Sequence, residues 1–561
     1  MSTVVTMNGK TYVEPGSYAI TVYQPTSVVN VASFGRVMII DTGLSQETVD
    51  DATYEFAGGA GIAGVDASGR KAIYSFENFE DFSDFMGGGM ITDIAQKLFT
   101  PIDGALGTPR LYYTRAAKTT PATLSIGADT NSIVLTCLNE GAVGNGVAEG
   151  DMSELSNGTL ENLKVGYALA IKAGVDDTSK FIVTIYRGNY RGTDAAGEPY
   201  GTYSLADAYG EMVAQSGEIG TYDELYNWLL TSSMAMANFR PSKGAGYVGT
   251  TALKVTAPTL FAGGTTSYQG SKGENEYYPD VLEAIRELEV TFFLCTDYGV
   301  VNGAKASSNG KLFTFLKNDA KFDEFMFVPG GEGKADLLTT NTITQTSQAL
   351  AVHYNDEKVI VTHGSPTVPR KDGNGTKNLP SIYLAAAIMG LNAGLAAQTP
   401  VTFKRVGYDA YAYDLTFSER VKALQAGIMH VREVSGYYRV NQGITSLQNN
   451  KQTISEDGQT FELSIALIKA QLNKELILEG QTRFTGNTAA QASPNTVKDF
   501  TETKLTSLVA KVGDDNLIIS WKNVKVSARN GDYKVTYDFV PNVPVNKTFF
   551  VGNMLDYVFN S

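Results

Sequence analysis

His353, His363 and His430 are the 3 histidines of this 561-residue chain, and none stands in the H-x-x-x-H or H-E-x-x-H spacing that sets two metal ligands on one helix face. Gly59-Ala60-Gly61-Ile62-Ala63-Gly64 spells the dinucleotide fingerprint. That motif works only between a strand and a helix, where backbone amides meet a pyrophosphate. Here Asp51–Ala57 is no clear strand and Val65–Arg70 reads as a turn. Pro329-Gly330-Gly331-Glu332-Gly333-Lys334 does follow a strand and precede a helix, a place where amides can hold a phosphate. It lacks the spacing and the Ser or Thr of a P-loop, so a tight strand-to-helix turn is the expectation. No G-x-S-x-G elbow is present. Glu77, Glu80, Asp81 and Asp84 are dense but read as a solvated helix face, because an acid and base pair needs an apolar pocket to split its pKa values. Cys137 and Cys295 are the 2 cysteines, too few for a disulfide framework or a cysteine zinc cluster, and Cys295 lies in the apolar run VTFFLC. The expectation is therefore no catalytic residue, no cofactor and no metal.

The elements that could have positioned such chemistry are nonetheless legible. Pro279–Thr399 alternates helical patterns with short, wholly apolar strands. Helices are expected over Pro279–Leu288, Lys311–Asn318, Leu337–His353 and Ser381–Ala396, with strands over Val290–Cys295, Glu324–Val328 and Val359–Thr362. Strands without polar alternation between helices predict a mostly parallel sheet covered on both faces, an α/β core. Upstream, Val37–Ile40 and Leu111–Arg115 read as strands, with helical patterns over Phe76–Phe85 and Ile91–Phe99. Ala117–Gly264 changes texture to short alternating strands, with Phe181, Val183 and Ile185 on one face and a short helix over Tyr222–Leu230. Downstream, Thr416 and Glu419 form a capping box for a helix that Gly427 ends. Ile428–Val434 and Tyr437–Asn441 then make a hairpin around Ser435-Gly436. A long helix carries Phe461, Ile465, Ile468, Leu472 and Leu476 in one stripe and is expected to stop at Gly480. Val497–Val512 reads as a second helix, and Asn530-Gly531 as the turn of a closing hairpin.

Composition limits the partners. A net charge of −14 and the absence of any basic run argue against wrapping nucleic acid or lying on an anionic membrane. No hydrophobic signal segment or 18-residue apolar run occurs, so synthesis and retention in a cytosol are expected. Charged residues are 19%, below the roughly 25% of ordinary soluble domains, which suits a subunit that hides surface in an assembly. Thr11–Pro25 sets Tyr18, Ile20 and Val22 on one side of an early strand with no expected neighbour in the sequence. Thr548–Val551 gives a second apolar strand near the other end. The domain reading is an extended arm over 1–24, the first part of the core over 25–116, and an inserted β-rich outer domain over 117–264. The α/β core follows over 265–450, a C-terminal α+β domain over 451–540, and a second arm over 541–561.

The order of these pieces resembles the contractile tail sheath proteins of bacteriophages. The likeness is carried by PGSYAITV, NFEDFSDFMGGG, AQKLF, PRLYYTRAA, GNGVA, VTFFLCTDYG, EFMFVPG, ALQAGIMHVREVSGYYRVNQGIT and FELSIALIKAQLNKELILEG with the hairpin that follows. GNGVA lacks an expected aromatic before it, and the inserted region matches nothing specific. The resemblance implies a multidomain α/β and α+β subunit that polymerises around a tail tube in an extended, metastable helix. It further implies contraction by rigid-body rearrangement, which drives the tube through the host envelope. The partners it implies are other copies of the chain in stacked sixfold rings, the tail tube protein, and baseplate and terminator or neck proteins. Nucleic acid and membrane insertion are not among them. The implied location is the virion tail, with assembly in host cytoplasm. Tyr18, Ile20, Val22, Phe549, Phe550 and Val551 would enter neighbours' sheets, and Lys498, Glu502, Lys504 and Lys511 could face the tube. The sheath of a related contractile injection system fits the same features. An α/β nucleotide-dependent enzyme is the alternative of a different class.

Overall fold

The structure, a computed structural model, describes residues 5–7, 10–12, 34–41, 49–50, 55–56, 61–62, 73–86, 90–115, 118–137, 144–145, 166–187, 211–236, 238–267, 288–296, 324–331, 347–369, 376–448, 460–484, 488, 491–510, 516–529 and 532–545. Two units are distinguished, Met1–Ser33 and Phe34–Ser561. In the first, Val5–Met7 pairs antiparallel with Lys10–Tyr12. Thr11 and Tyr12, at the head of the stretch that leads to the expected early strand, pair with Thr6 and Val5. Closing so short a loop costs little chain entropy. Tyr18, Ile20, Val22, Phe549, Phe550, Val551 and Lys511 lie outside the described residues. So do the expected helix over Lys311–Asn318 and, but for Leu288, that over Pro279–Leu288.

In the second unit a nine-stranded sheet forms the centre. Its members are β1 (Val37–Asp41), β2 (Ile73–Phe76), β3 (Leu111–Arg115), β4 (Phe292–Cys295), β5 (Phe325–Pro329), β6 (Val359–His363), β7 (Ile428–Val434), β8 (Tyr437–Val440) and the short strand Gly61–Ile62. The order is β8-β7-β6-β5-β4-β1-β3-β2 and then Gly61–Ile62. From β7 through β3 every pairing is parallel. The outer pairs, β7 with β8, β3 with β2, and β2 with Gly61–Ile62, are antiparallel. This is the mixed α/β class expected from the apolar strands.

Successive side chains on a strand point to opposite faces, and here both faces are dry. Val37 and Ile39 of β1, Phe292 and Leu294 of β4, and Phe325 and Phe327 of β5 enter one apolar layer. That layer also holds residues of α1 (Phe79–Met86), α2 (Met90–Phe99), α5 (Ser381–Gly394) and α7 (Leu463–Phe484). Met38, Ile40, Phe293, Cys295, Met326 and Val328 enter the other, with Leu350, Ala351 and Tyr354 of α4 (Ser347–Tyr354) and Ala423 of α6 (Phe417–Gln425). Helix α5 carries no charge, and every residue from Ser381 to Ala393 is buried. Gly394 lets it approach the preceding loop, since a Cβ there would fall 1.7 Å from the Leu106 carbonyl oxygen.

The region between β3 and β4 has its own core. One sheet orders Thr123–Ala128, Asn131–Cys137 and Phe239–Lys243; the other orders Glu211–Gln215, Phe181–Arg187, Tyr167–Ala173 and Thr256–Leu260. Helix α3 (Tyr222–Thr231) supplies Tyr222, Leu225 and Leu229 to the apolar cluster they share, where Val183 and Ile185 are fully buried. Both cysteines are free and buried, Cys137 here and Cys295 in the large sheet.

Three expected boundaries differ. Phe76 belongs to β2, and α1 begins at Phe79, because pairing with Leu111 of β3 claims the aromatic. Helix α7 runs through Gly480 to Phe484. Gly480 faces open space, so glycine there costs only its entropy, about 1 kcal/mol, and does not end the helix. Helix α8 (Pro494–Ser507) stops before Val512 because Val509 bridges to Ile518 instead.

Phe292 sits at the centre of the first layer, 6.2 Å from Phe34, 6.3 Å from Phe325 and 5.6 Å from Phe327 between ring centroids. A Phe292→Ala subunit is expected to lose about 3–5 kcal/mol of stability, read as a lower denaturant midpoint with unchanged slope. A loss under 1 kcal/mol would show that the layer collapses around the cavity.

Candidate functional site

In open α/β sheets ligands bind at the carboxyl ends of the strands, at the point where strand order reverses. Here that point lies between β1 and β4. Asp41 at the end of β1 is fully buried and accepts hydrogen bonds from the Tyr113 hydroxyl (2.8 Å) and the Thr296 hydroxyl (3.2 Å). Two strands away, the Gly-rich turn after β5 is fastened in the same manner. Gly330 N–H donates to the Thr362 carbonyl, Gly331 N–H to Ser347 Oγ (2.7 Å), and Ser381 Oγ to the Gly330 carbonyl. The Gly330 and Gly331 amides are thus engaged within the fold; Glu332, Gly333 and Lys334 lie outside the described residues. Gly61 and Ile62 of the fingerprint-like run form an edge strand against β2, whereas the fingerprint's glycines stand in the turn between a strand and a helix.

Ser347 Oγ also lies 2.8 Å from His363 Nδ1, a hydroxyl and imidazole pair of the kind a nucleophile would use. Both are buried, with Ser347 at 0% and His363 at 3% exposure, so substrate has no path to the oxygen. Burial, and then the neighbouring His430, push the His363 imidazole down to about 3. His430 is pushed down to about 4, again by burial foremost; its Nδ1 lies 3.2 Å from the Ile428 carbonyl and its Nε2 3.0 Å from Asn441 Nδ2. The two residues are satisfied core histidines. Among the described residues no group of three or more His, Cys, Asp and Glu could hold a metal ion, and no helix is long and apolar enough to cross a membrane.

Surface capable of joining another chain lies further on. β9 (Ile518–Arg529) and β10 (Asp532–Pro541) form a two-stranded antiparallel ribbon, longer than the Val524–Ser527 and Tyr533–Phe539 runs that announced it. Period-2 alternation places Val535, Tyr537 and Phe539 inward, against the apolar layer shared with α7 and α8, while Lys534, Thr536, Asp538 and Val540 face out. Val524, Leu517 and Ile518 are buried beneath the ribbon and Trp521 half-buried. Asn523 takes a φ of 59° at a register shift and donates to Asp538 at 2.6 Å, twisting the strand at that bulge. Among the described residues the outer edge of β9 is met only at its start, where Ile518 N–H donates to the Leu508 carbonyl and the Ile518 carbonyl accepts from Ala510 N–H. No strand among the described residues pairs with the outer edge of β10 or with the rest of β9.

The charges expected to face a tube divide in two. Lys498 and Glu502 pair across one turn of α8 at 3.7 Å, at 45% and 35% side-chain exposure. Lys504, by contrast, turns inward to Glu475 (2.7 Å) and Glu479 of α7 and keeps 15% exposure. Burial opposes its charge, but the hydrogen bonds to Glu475 and Glu479 prevail and hold the ammonium above its ordinary range. It fastens α8 to α7, an arrangement that sequence could not show because the way two successive helices pack decides which of their charges meet.

No family model matches the chain. A tail sheath protein of Bacillus phage SP01 is 23% identical over 228 residues, 40% of this chain; the chain spans about a third of that relative, 36% of its length. Among solved structures, the sheath tail protein of Desulfitobacterium hafniense is 14% identical with a TM-score of 0.45, covering 94% of this chain and 100% of that one. That of Listeria innocua is 15% identical at 0.44, covering 91% and 96%. The contracted helical sheath of the anti-feeding prophage is 13% identical at 0.35, covering 53% and 79%.

Two predictions follow from the geometry. Both histidines are neutral in the fold and ordinary, near ~6.5, in the unfolded chain. Below that pH the unfolded chain binds more protons, so stability is complete above about pH 6.5 and falls as pH drops toward the depressed folded values, by on the order of 1 kcal/mol per pH unit for each histidine. The denaturant midpoint at pH 5 should lie below that at pH 7, and a His363→Gln, His430→Gln subunit should show a shallower drop; equal drops would place the cause elsewhere. Secondly, Lys504→Ala should lower stability by on the order of 1 kcal/mol and Lys498→Ala by nearly nothing, compared by thermal unfolding at matched salt. The likeness to contractile tail sheath proteins drawn from the order of residues is thus met by a named tail sheath protein in sequence comparison.

Proposed function

We propose that this chain is a structural subunit of a contractile sheath, polymerising around an inner tube and shortening by rigid-body rearrangement of its copies. The observation that carries the reading is the ribbon of β9 and β10, mounted on α7 and α8 with long edges that no described strand covers. Such edges present rows of unpaired amides and carbonyls and invite a partner strand. The arms that hold Tyr18, Ile20 and Val22 at one end and Phe549, Phe550 and Val551 at the other are the strands we assign to neighbours' ribbons, linkage by β-augmentation. Sequence similarity to a named tail sheath protein supports the same reading.

The α/β block suits such motion. Dry on both sheet faces, it would turn as one piece, with the strand links acting as hinges and the energy residing in the difference between two packings of copies. A difference of roughly 1–3 kcal/mol per subunit, the scale of ordinary coupling energies, accumulates over many copies into a large stroke without any cofactor. On this reading the exposed Lys498 and Glu502 side of α8 meets the tube protein, and baseplate and terminator or neck proteins close the two ends.

Removing residues 1–22 should leave a folded subunit, with unfolding midpoint and circular dichroism close to those of the full chain, that no longer forms tubes visible by electron microscopy. Tubes of normal length from the shortened protein would refute the arm assignment.

A further inference from the structure

Three arginines share one side of the hairpin that ends the large sheet. Arg432 of β7 stands directly opposite Arg439 of β8, and Arg439 is bridged in turn by Arg405. Residues directly opposite in an antiparallel ladder point to the same face, and like charges so placed repel. Neighbouring strands are ~4.8 Å apart, so the backbone positions of the three arginines form a row about 10 Å long. Aromatic rings hold the row in place. The Arg432 guanidinium lies 4.7 Å over the Phe403 ring and that of Arg405 lies 4.2 Å over Tyr437. Arg439 Nη1 donates to the Phe403 carbonyl at 3.0 Å.

Carboxylates are scarce beside these charges. Arg405 reaches Asp409 at 3.2 Å. Among the described residues neither Arg432 nor Arg439 pairs with any carboxylate, and the Nε atoms of Arg432 and Arg405 are buried without a hydrogen-bond partner. The nearby charge of Arg420 and, more strongly, burial lower the Arg432 pKa, so the row is held against its own electrostatics. Backbone strain points the same way. Phe403 adopts a φ of 61°, a left-handed conformation that bulky side chains rarely take, yet its ring stays 40% exposed. Strain of that kind persists where it serves a site.

At the far end of the same sheet lies the complementary surface. Helix α1 follows β2, and Glu80, Asp81 and Asp84 are exposed on it. Glu80 and Asp84 sit one turn apart, where like charges destabilise a helix. Neither has a cationic partner among the described residues. Asp81 accepts only the Asn78 amide at 2.8 Å. Side chains one turn apart are ~5–6 Å from each other, which matches the spacing of the arginine row and allows paired N–H···O contacts from planar guanidinium groups.

We infer that the arginine row of Arg405, Arg432 and Arg439 is a docking surface for the acidic face of α1 on a second copy of this chain. The two surfaces lie at opposite ends of one rigid sheet, roughly 30–40 Å apart by strand count. A contact between unlike surfaces is heterologous and propagates from copy to copy, giving a ring or an open helix. The inference deepens the sheath reading and rests on it only in taking the partner to be a second copy.

Proximity can be read without assuming a tube. Tyr437→Cys protein and Glu80→Cys protein, each otherwise the full chain, are mixed and oxidised with a mild copper reagent, then separated under denaturing, non-reducing conditions. A disulfide-linked dimer requiring both variants is expected, and its yield should fall at least fivefold in 1 M salt. Charge exchange gives the second arm. Arg432→Glu with Arg439→Glu, and separately Glu80→Arg with Asp84→Arg, should each weaken self-association at least tenfold by sedimentation while unfolding at an unchanged midpoint, and a mixture of the two proteins should restore it. Failure to cross-link, or an acidic-helix variant that associates normally, overturns the inference, the latter result meaning that the row serves a different protein. Long tubes without the cross-link would leave the sheath reading intact and remove this one; a cross-link confined to small oligomers would do the reverse.

Discussion

Everything in the larger unit depends on a parallel sheet that is dry on both faces. Parallel strands cannot be joined by tight turns, so the chain must cross the sheet between them, as it does with α4 between β5 and β6 and α5 and α6 between β6 and β7. Those helices then hide the strands from water. In β1, β4 and β5 alternate residues feed two separate apolar layers, and α5, without a charge along its length, closes one of them. A block built this way has little freedom to deform, because packed interiors switch between discrete arrangements rather than yielding continuously. At the carboxyl edge of that sheet the same burial takes in polar groups: the Ser347 and His363 pair and the Asp41 carboxylate are bonded into the interior.

Rigidity at the centre moves function to the periphery. The ribbon of β9 and β10 has one apolar side committed to α7 and α8 and two long edges for which the described chain supplies almost no partner. Lys504 is part of that mounting, since its pairs with Glu475 and Glu479 fix the helix that underlies the ribbon. A residue read as surface charge in the sequence is thus a fastener in the fold. Lys498 and Glu502 pair only with each other, on the more open side of α8.

How much of this the residues disclosed varies with the kind of signal. Strands β1, β4, β5 and β6 were legible because runs such as VTFFLC and VIVT have no polar alternation and can only be buried on both sides. The hairpin at Ser435-Gly436 and the capping box at Thr416 were legible because each rests on local backbone chemistry, and Ser435 and Gly436 do take the positive φ values that such a turn requires. What failed was set by distant contacts. The stripe on α7 was read as one-sided, but Leu463, Ile465, Ala466, Leu467 and Ile468 are buried around its whole girth because the sheet packs on one side and the ribbon and α8 on the other. Phe76 fitted the helix pattern equally well and was taken by β2, where it pairs with Leu111 of β3. The arginine row escaped notice for the same reason, since Arg405, Arg432 and Arg439 are scattered in sequence and only the hairpin register brings them together.

Strand addition and charge docking differ in how they break. A strand joined to a ribbon edge makes several backbone hydrogen bonds in register, each modest but lost only together, and sliding by one residue would turn every side chain to the wrong face. Exposed ion pairs contribute about 0–1 kcal/mol each and weaken with salt, so they can part and re-form one by one. A lattice that must change shape without falling apart needs both kinds of contact. Under the proposed assembly the arms keep neighbours attached throughout, while contacts between charged ends of the rigid sheets are exchanged as the copies turn. On that reading the apolar, β-prone residues at Tyr18, Ile20 and Val22 and at Phe549, Phe550 and Val551 serve the lasting links, whereas the ends of the large sheet carry arginine, with the exposed rings of Phe403 and Tyr437 among it, and carboxylate, for contacts that can be released.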